Sequence, residues 1–542
     1  MLVRMSAPAW PLRRWLEGLL ALGCAGLALW VHRRELAGFF GPDDFIVLER
    51  ARGLLPAAHT LWRALTGGCF VAAANLFGAV PHSYLVVGWA LHGVNVVLLY
   101  AWARRAGGGA LAAGLAAGVF GVSRLHFTAL GQVATWGELL SVGFLLASFL
   151  VLGRAGWIGA LISAALFLAA LFSKESVALM PLALLLPGTA GPDFRRRLWR
   201  CAPLLALAAL WGLYLIGTSA GTSVFHGAAY AVGFGTNLFH SLMTYADWAV
   251  DFQRPVPDLF GTFSDAAWTT GVWVWAGLGA AAWLARRGHP LPALGASWWL
   301  LGLLPVIPLV YHSYLHYLYL PFAGLALAVG GTVEWMAVAL AAPRRRRAPR
   351  NTSGGSAASP PAPVWAWPLA VAVVLVYAAA SDRLIADRTR ERLPAYDLPI
   401  DPFVRKAELA RRTAEGVVGA AQAGIRRIAF LVPEGEAQAY HDVIRETLDQ
   451  GRGLRFLYPG VDSVAYVSQW GTAQLGFELF VQDREAHTRR LGRGPEALLE
   501  WSARLGQDGL AAQAQAALDS ALRAWPGDAR LVTARRRLAA GP

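Results

Sequence analysis

The chain has 542 residues, 56% of them hydrophobic and 15% charged, with a mean hydropathy of +0.43. A soluble domain runs nearer about 45–50% apolar and about 25% charged, and here the apolar excess comes in blocks of bilayer length, which excludes a soluble protein. The net charge of +14 sits largely in short arginine-rich loops between those blocks, the positive-inside pattern that reports orientation and calls for no nucleic-acid partner.

In chain order the pattern predicts eleven spans, making an all-α polytopic membrane protein with a small α/β C-terminal domain. The first, about 15–31, follows Arg4, Arg13 and Arg14 and has no small-residue cleavage site after it, so it reads as a retained signal anchor. A long outer loop, 32–82, carries "FFGPDDFIVLERARG". The second to fourth spans are about 83–103, 107–122 and 133–153, with arginines at their cytoplasmic ends. The fifth and sixth, about 156–172 and 175–190, form a tight pair around "SKES". The seventh is about 201–217, followed by a second outer stretch, 218–265. The eighth (about 266–285) ends at Arg286 and Arg287, and the ninth and tenth are about 291–310 and 317–341. "PRRRRAPR" and the linker "NTSGGSAASPPAP" precede the eleventh, about 363–380. Arg33 and Arg34 break the alternation and are read as snorkelling at the outer interface.

This divides the chain into a membrane domain, 1–381, and an extracytoplasmic domain, 382–542. In the latter, Ile425–Val432, "LRFLYPG" and "VAYVSQW" read as strands. Two amphipathic helices broken at Gly506–Gly509 form a hairpin like one tetratricopeptide repeat, a single copy being too few for a solenoid. Cys24, Cys69 and Cys201 form no CxxC pair, so neither a disulfide framework nor a zinc site follows.

Several constellations carry ionisable groups to the predicted outer face. Asp43–Asp44 after Gly41–Pro42 is either a turn or a carboxylate acting as general base or metal ligand. "HTLWRALTGGCFVAAANLFG", with Arg63, has the apolar spacing of a helix lying along the membrane surface. Arg124 and His126 fall in a short outer loop, and Glu138 is near the end of the fourth span. Intramembrane ionisable groups are functional candidates, against which stand interface anchoring for Arg124 and a solvated loop position for His126. Lys174 and Glu175 are either an ion pair capping a helix start or, for the lysine, a phosphate contact. His316 and Tyr319 lie in "YHSYLHYLYLPFAG" with His312, Tyr311, Tyr314 and Tyr317, where an aromatic belt is the plain explanation. His92 and Asn95, one turn apart, read as a buried hydrogen-bonded pair, and Asp247 and Asp251 are a second choice of carboxylate. No P-loop, HExxH or GxSxG is present, so the usual signatures of ATP-driven pumps, metalloproteases and serine hydrolases are missing.

Five segments occur in a telling order: "GPDDF", "WRALTGGCF…NLFG", "ALHGVNVVLLY", "LFSKESVALMPLALLL" and "YLHYLYLPFAGLALA". As an ordered set they resemble the GT-C superfamily of integral membrane glycosyltransferases. The resemblance covers about residues 10–380 and is closest to bacterial relatives of the transmembrane, tetratricopeptide-repeat O-mannosyltransferases. It implies a multi-pass protein of a bacterial inner membrane, a polyprenyl-phosphate sugar donor, and an extracytoplasmic acceptor that is a protein hydroxyl or an envelope glycan or lipid. It implies inverting transfer with Asp44 or Asp43 as base, the same pair holding a divalent metal if one is used. By the same resemblance Lys174 and Arg124 meet the donor phosphate, and Glu175, His126, Arg63, His316 and Tyr319 complete the substrate-binding set. The sequence departs from that family at "VSRLHFTALGQ", which keeps His126 but lacks the usual proline and acid. It also departs at His316, which stands near the family's arginine, and in the missing long repeat tail. The competing reading is a non-catalytic scaffold or a transporter in envelope biogenesis; the chain shows no repeated halves of the kind many transporters have.

Overall fold

The computed structural model describes residues 10–56, 61, 63–152, 156–186, 189, 193–219, 231–252, 254, 265–285, 290–310, 313–341, 362–434 and 438–540. Arg4, Arg286, Arg287, Tyr311, His312, much of the second outer stretch and the arginine-rich linker at 343–361 lie outside the described residues. The chain divides into two compact units.

The first unit comprises Met1–Ala37, His59–Cys69 and Ser83–Asp387. Seven helices among the described residues are long and apolar enough to cross a membrane: Arg14–Ala37, Pro81–Arg105, Val133–Val151, Gly156–Ser173, Phe194–Thr218, Leu315–Ala341 and Ala366–Arg390. An eighth span is possible in the bent pair Ala110–Gly121 and Arg124–Gly131, which turns by 44°. The protein is therefore a multi-pass membrane protein with fewer long apolar helices than the eleven spans expected. The expected sixth span resolves into short 3₁₀ turns, Glu175–Val177 and Met180–Leu185, where Pro181 cannot extend an α-helix. The expected ninth is a helix of 14 residues, Pro290–Leu303, below bilayer length. Helix Asp265–Ala285 has the length but carries several tryptophans and two threonines, which lower its hydropathy. Helix Ala64–Phe77, expected along the membrane surface, is apolar and too short to span.

Small residues bring these helices into backbone contact. A Cβ on Gly324 would lie 2.5 Å from the Trp299 backbone nitrogen, and one on Gly295 would lie 2.3 Å from the Ala328 nitrogen. Helices Pro290–Leu303 and Tyr319–Ala341 thus touch main chain to main chain, as small-residue membrane interfaces do. Buried Glu334 caps helix Ala110–Gly121 by accepting from Gly109 N at 2.7 Å and Ala112 N at 3.3 Å. Arg33 and Arg34 donate to Asp382 at 2.8 and 3.4 Å, so they tie two helices together where the sequence suggested free snorkelling.

The second unit comprises Gly38–Ala58, Phe70–His82 and Arg388–Pro542. It holds an open four-stranded mixed sheet of order β2-β1-β3-β4. The strands are β1 (Arg427–Leu431), β2 (Ser463–Val467), β3 (Glu478–Gln482) and β4 (Thr488–Gly492). β1 pairs in parallel with both β2 and β3, and β3 pairs antiparallel with β4. Helices Pro495–Gln507, Ala511–Ala524 and Ala529–Ala539 follow. The first two bury Leu498, Trp501, Leu505 and Leu518 against Leu431, Leu479 and Val481 of the sheet. "LRFLYPG", expected as a strand, begins in helix Arg452–Leu457. A short apolar run has no decisive periodicity, and Gly451 at φ 87° starts the helix here. Arg388 and Asp401, both fully buried, form an ion pair with Nε donating to Oδ2 at 2.5 Å.

Candidate functional site

In the first unit four charges meet at helix ends. Helix Gly156–Ser173 stops at Ser173, whose carbonyl accepts from Thr66 Oγ1 at 3.0 Å. The backbone then extends at Lys174, so that Lys174 and Glu175 take different partners. Lys174 Nζ donates to Glu138 Oε1 in a buried pair with side chains 8% and 2% exposed. Arg63 forks onto Glu175, with Nη2 to Oε1 at 2.7 Å and Nε to Oε2 at 3.1 Å. That pair is half-buried, with side chains 36% and 30% exposed. Arg63 sits at φ 54°, a left-handed conformation costly for a residue with a Cβ. Lys174 also lies 5.0 Å from the ring centroid of Tyr317. His316 packs edge-on to the same ring at 4.5 Å and stacks on Tyr314 at 5.4 Å. The structure thus assembles Arg63, Lys174, Glu175 and His316 around one aromatic patch, with Glu138 as the added carboxylate.

Arg124 is elsewhere and buried. Its Nε donates to the Asp251 carbonyl at 3.0 Å, and the Asp251 carboxylate is 4.0 Å away. Arg254 bonds Asp251 Oδ2 at 2.6 Å and Asp247 Oδ2 at 2.7 Å, joining both aspartates in one network. The sequence pointed to the aspartates; the i+3 and i+7 spacing to Arg254 was the signal for the third member.

His126 is fully buried, not solvated. Its ring centroid lies 5.2 Å from that of His92 and 4.6 Å from that of Tyr319. Tyr319 is also fully buried, and its hydroxyl accepts from Asn95 Nδ2 at 3.0 Å and meets His92 Nδ1 at 2.9 Å. His92 Nε2 is 2.9 Å from the Gly121 carbonyl, which can only accept. Nε2 therefore carries the proton and Nδ1 accepts from Tyr319. Asn95 also donates to the Leu139 carbonyl at 2.8 Å. His92, Asn95 and Tyr319 together lock four helical segments.

Asp43 and Asp44 belong to the second unit and open helix Pro42–Ala51. Asp44 is buried, and its Oδ2 accepts from Gly41 N at 2.8 Å, closing the first turn. Asp43 is exposed. Desolvation by the surrounding protein still pushes its carboxyl above the ordinary range, against the pull of Lys406 and with help from Asp449. Among the described residues no three His, Cys, Asp or Glu side chains come together as a metal set. Glu49 was not foreseen: it is fully buried on the same helix, and Arg452 Nε is 3.5 Å from its Oε2. Its partner lies in a distant part of the chain, and nothing local announces it.

No family model matches the chain, and no curated protein matches it. Among solved structures it is similar to an archaeal oligosaccharyltransferase, AglB from Archaeoglobus fulgidus, in complex with an inhibitory peptide and a dolichol-phosphate. The identity is 10% and the TM-score 0.43, covering 85% of this chain and 65% of that one. It is similar to an Archaeoglobus fulgidus oligosaccharyltransferase in the apo form at the same identity and TM-score, covering 84% of this chain and 65% of the other. The chain thus spans about 65% of the length of these structures. A likeness of that degree decides nothing about chemistry.

Proposed function

We propose that this protein is a membrane glycosyltransferase that moves a sugar from a polyprenyl-phosphate donor to an extracytoplasmic acceptor. The observation that carries the reading is the charge cluster at the helix ends, in which a half-buried Arg63–Glu175 pair adjoins a buried Lys174–Glu138 pair. Ionised groups are costly beside a bilayer, and a forked guanidinium suits a phosphate as well as a carboxylate. A lipid phosphate would replace Glu175 on Arg63, while Lys174 adds a point charge from behind. These cations offset the charge that develops as the phosphate leaves.

In the proposed step the acceptor hydroxyl gives its proton to a carboxylate. Its oxygen forms a bond to the anomeric carbon as that carbon's bond to the phosphate oxygen breaks, the electron pair leaving with the phosphate. Configuration inverts. Asp43 suits the base, being exposed and with a raised carboxyl; Asp44 holds the helix start. Arg124, His126 and Tyr319 support the surrounding helices in this reading. The membrane domain would be 1–381 and the soluble domain, 382–542, extracytoplasmic, in a bacterial inner membrane. Eleven crossings would need the bent pair Ala110–Gly121 and Arg124–Gly131, helix Asp265–Ala285, the short segment Glu175–Leu185 and helix Pro290–Leu303 to be counted beside the seven long helices.

The second reading is a non-catalytic scaffold, which the complete internal pairing of Arg63 and Lys174 favours. Purified protein incubated with a panel of labelled polyprenyl-phosphate sugars separates the two. Turnover that falls in Arg63→Gln supports the transferase; no turnover by wild type with any donor supports the scaffold.

A further inference from the structure

Helix Pro42–Ala51, which opens with Asp43 and Asp44, is held within its unit by a distant stretch of the chain. Three residues in succession, Asp449, Gln450 and Gly451, have positive φ of 45°, 61° and 87°. Two of them carry a Cβ, so the turn is strained and persists because its surroundings hold it. The turn delivers Gly453 against the ring of Phe45: a Cβ there would lie 2.8 to 3.0 Å from three ring atoms. Phe456, one helical turn on, packs edge-to-face with Phe40 at 5.8 Å and with Phe45 at 6.5 Å. The same turn places Arg452 beside Glu49, with Asp449 holding the guanidinium at 3.0 Å through Nε and 2.7 Å through Nη2.

Glu49 is the unusual member. It is fully buried, and among the described residues no N–H group donates to either carboxyl oxygen; its hydrogen-bonding neighbour is the Asp449 carboxylate, which favours the neutral acid. Arg452, already forked onto Asp449, approaches only to 3.5 Å. A packed ring on one side and a shared arginine on the other thus hold the helix that carries the two aspartates.

We propose that the turn Asp449–Gly453 is a clamp that sets the position of helix Pro42–Ala51, with Glu49 as its positioning residue. The proposal rests on the reading of Asp43 as base for its functional meaning; the clamp itself is a statement about the helix. The groups facing Glu49 are Asp449, which disfavours its ionisation, and Arg452 and Arg455, which favour it. Burial dominates, and with Asp449 it pushes the carboxyl up to about 8. The docked helix therefore prefers the neutral acid. Docking is at full strength below the ordinary glutamate range, weakens as pH rises, and reaches its floor above about pH 8.

The test is hydrogen exchange of residues 42–51 in the full chain in nanodiscs at about pH 6 and about pH 8.5, corrected for intrinsic exchange, beside a transfer assay. Wild type loses roughly tenfold or more of its protection at the higher pH. Glu49→Gln, which cannot ionise, keeps the lower-pH protection at both. Gly453→Leu, which pushes Phe45 away, has low protection at both. Equal protection of wild type at both pH values, or a wild-type drop retained in Glu49→Gln, overturns the clamp. If the helix responds as stated while transfer is indifferent to both variants, the clamp stands and the assignment of Asp43 as base fails.

Discussion

Replacing Glu138 by Gln would strand the Lys174 ammonium, whose side chain is only 8% exposed. Its sequence neighbour Glu175 is no substitute, being forked onto Arg63 at 2.7 and 3.1 Å. Breaking a buried pair by removing one partner costs about 3–5 kcal/mol. The lysine's own escape sets a similar ceiling. Shedding the proton at pH 7 from a group of ordinary pKa about 10.4 costs about 5 kcal/mol, at 1.36 kcal/mol per unit. The expected destabilisation of Glu138→Gln is therefore about 3–5 kcal/mol. The double variant Glu138→Leu/Lys174→Met removes both charges and should return to within about 1 kcal/mol of wild type, because apolar replacement of a buried pair is near neutral. Reversible unfolding in mixed micelles, followed by tryptophan fluorescence, measures all three proteins. A Glu138→Gln protein as stable as wild type would refute the reasoning, since the pair would then be neither buried nor needed. Transfer by the refolded double variant addresses Lys174 separately: a stable protein without transfer marks the lysine as a phosphate contact.

Gly324→Ala places a Cβ 2.5 Å from a backbone nitrogen and 2.7 Å from the Gly295 carbonyl, neither of which can yield. The two helices must part by about 1 Å, and a loss of at least about 1–3 kcal/mol in the same unfolding assay is expected. Tyr319→Phe removes the hydroxyl that serves both His92 and Asn95. Two bonds at about 0.6 kcal/mol each, the membrane average, set the lower bound; full desolvation penalties of about 1–3 kcal/mol each set the upper. An unchanged stability would show that another group replaces the hydroxyl. In the second unit, burial first and Arg504 second push the buried His441 imidazole down to about 4. The unfolded chain binds the proton more readily, so stability is full above about pH 6.5 and is lost as pH falls toward about 4. The total is about 3 kcal/mol. His441→Leu should flatten that slope in acid unfolding of the full chain, and an unaltered slope would discount the histidine.

The parts legible in sequence were those set by local pattern. The membrane class followed from apolar blocks. His92 and Asn95, one turn apart, announced a buried polar pair, and both bond Tyr319. "GPDD" read as a turn or a carboxylate site; the structure makes it a helix start, with Pro42 in the first turn and Asp44 closing it. What stayed hidden depended on partners far apart in the chain. Lys174 finds Glu138 across 36 residues, and Arg63 finds Glu175 across 112. The fork at "SKES" sends adjacent charges to different partners, which no single-segment reading contains. The number of long helices failed for a related reason: hydropathy sees an apolar run at 175–190, whereas its described part forms 3₁₀ turns, the second opening with Pro181 in its first turn.

Transfer of a labelled sugar from a polyprenyl-phosphate donor by the purified full-length protein tests the central claim most directly, with wild type beside Asp43→Asn and Asp44→Asn. The account predicts turnover with inversion at the anomeric carbon by wild type, and a loss of roughly a hundredfold or more in Asp43→Asn. Wild-type turnover by both variants would contradict the assignment of catalysis to this helix start.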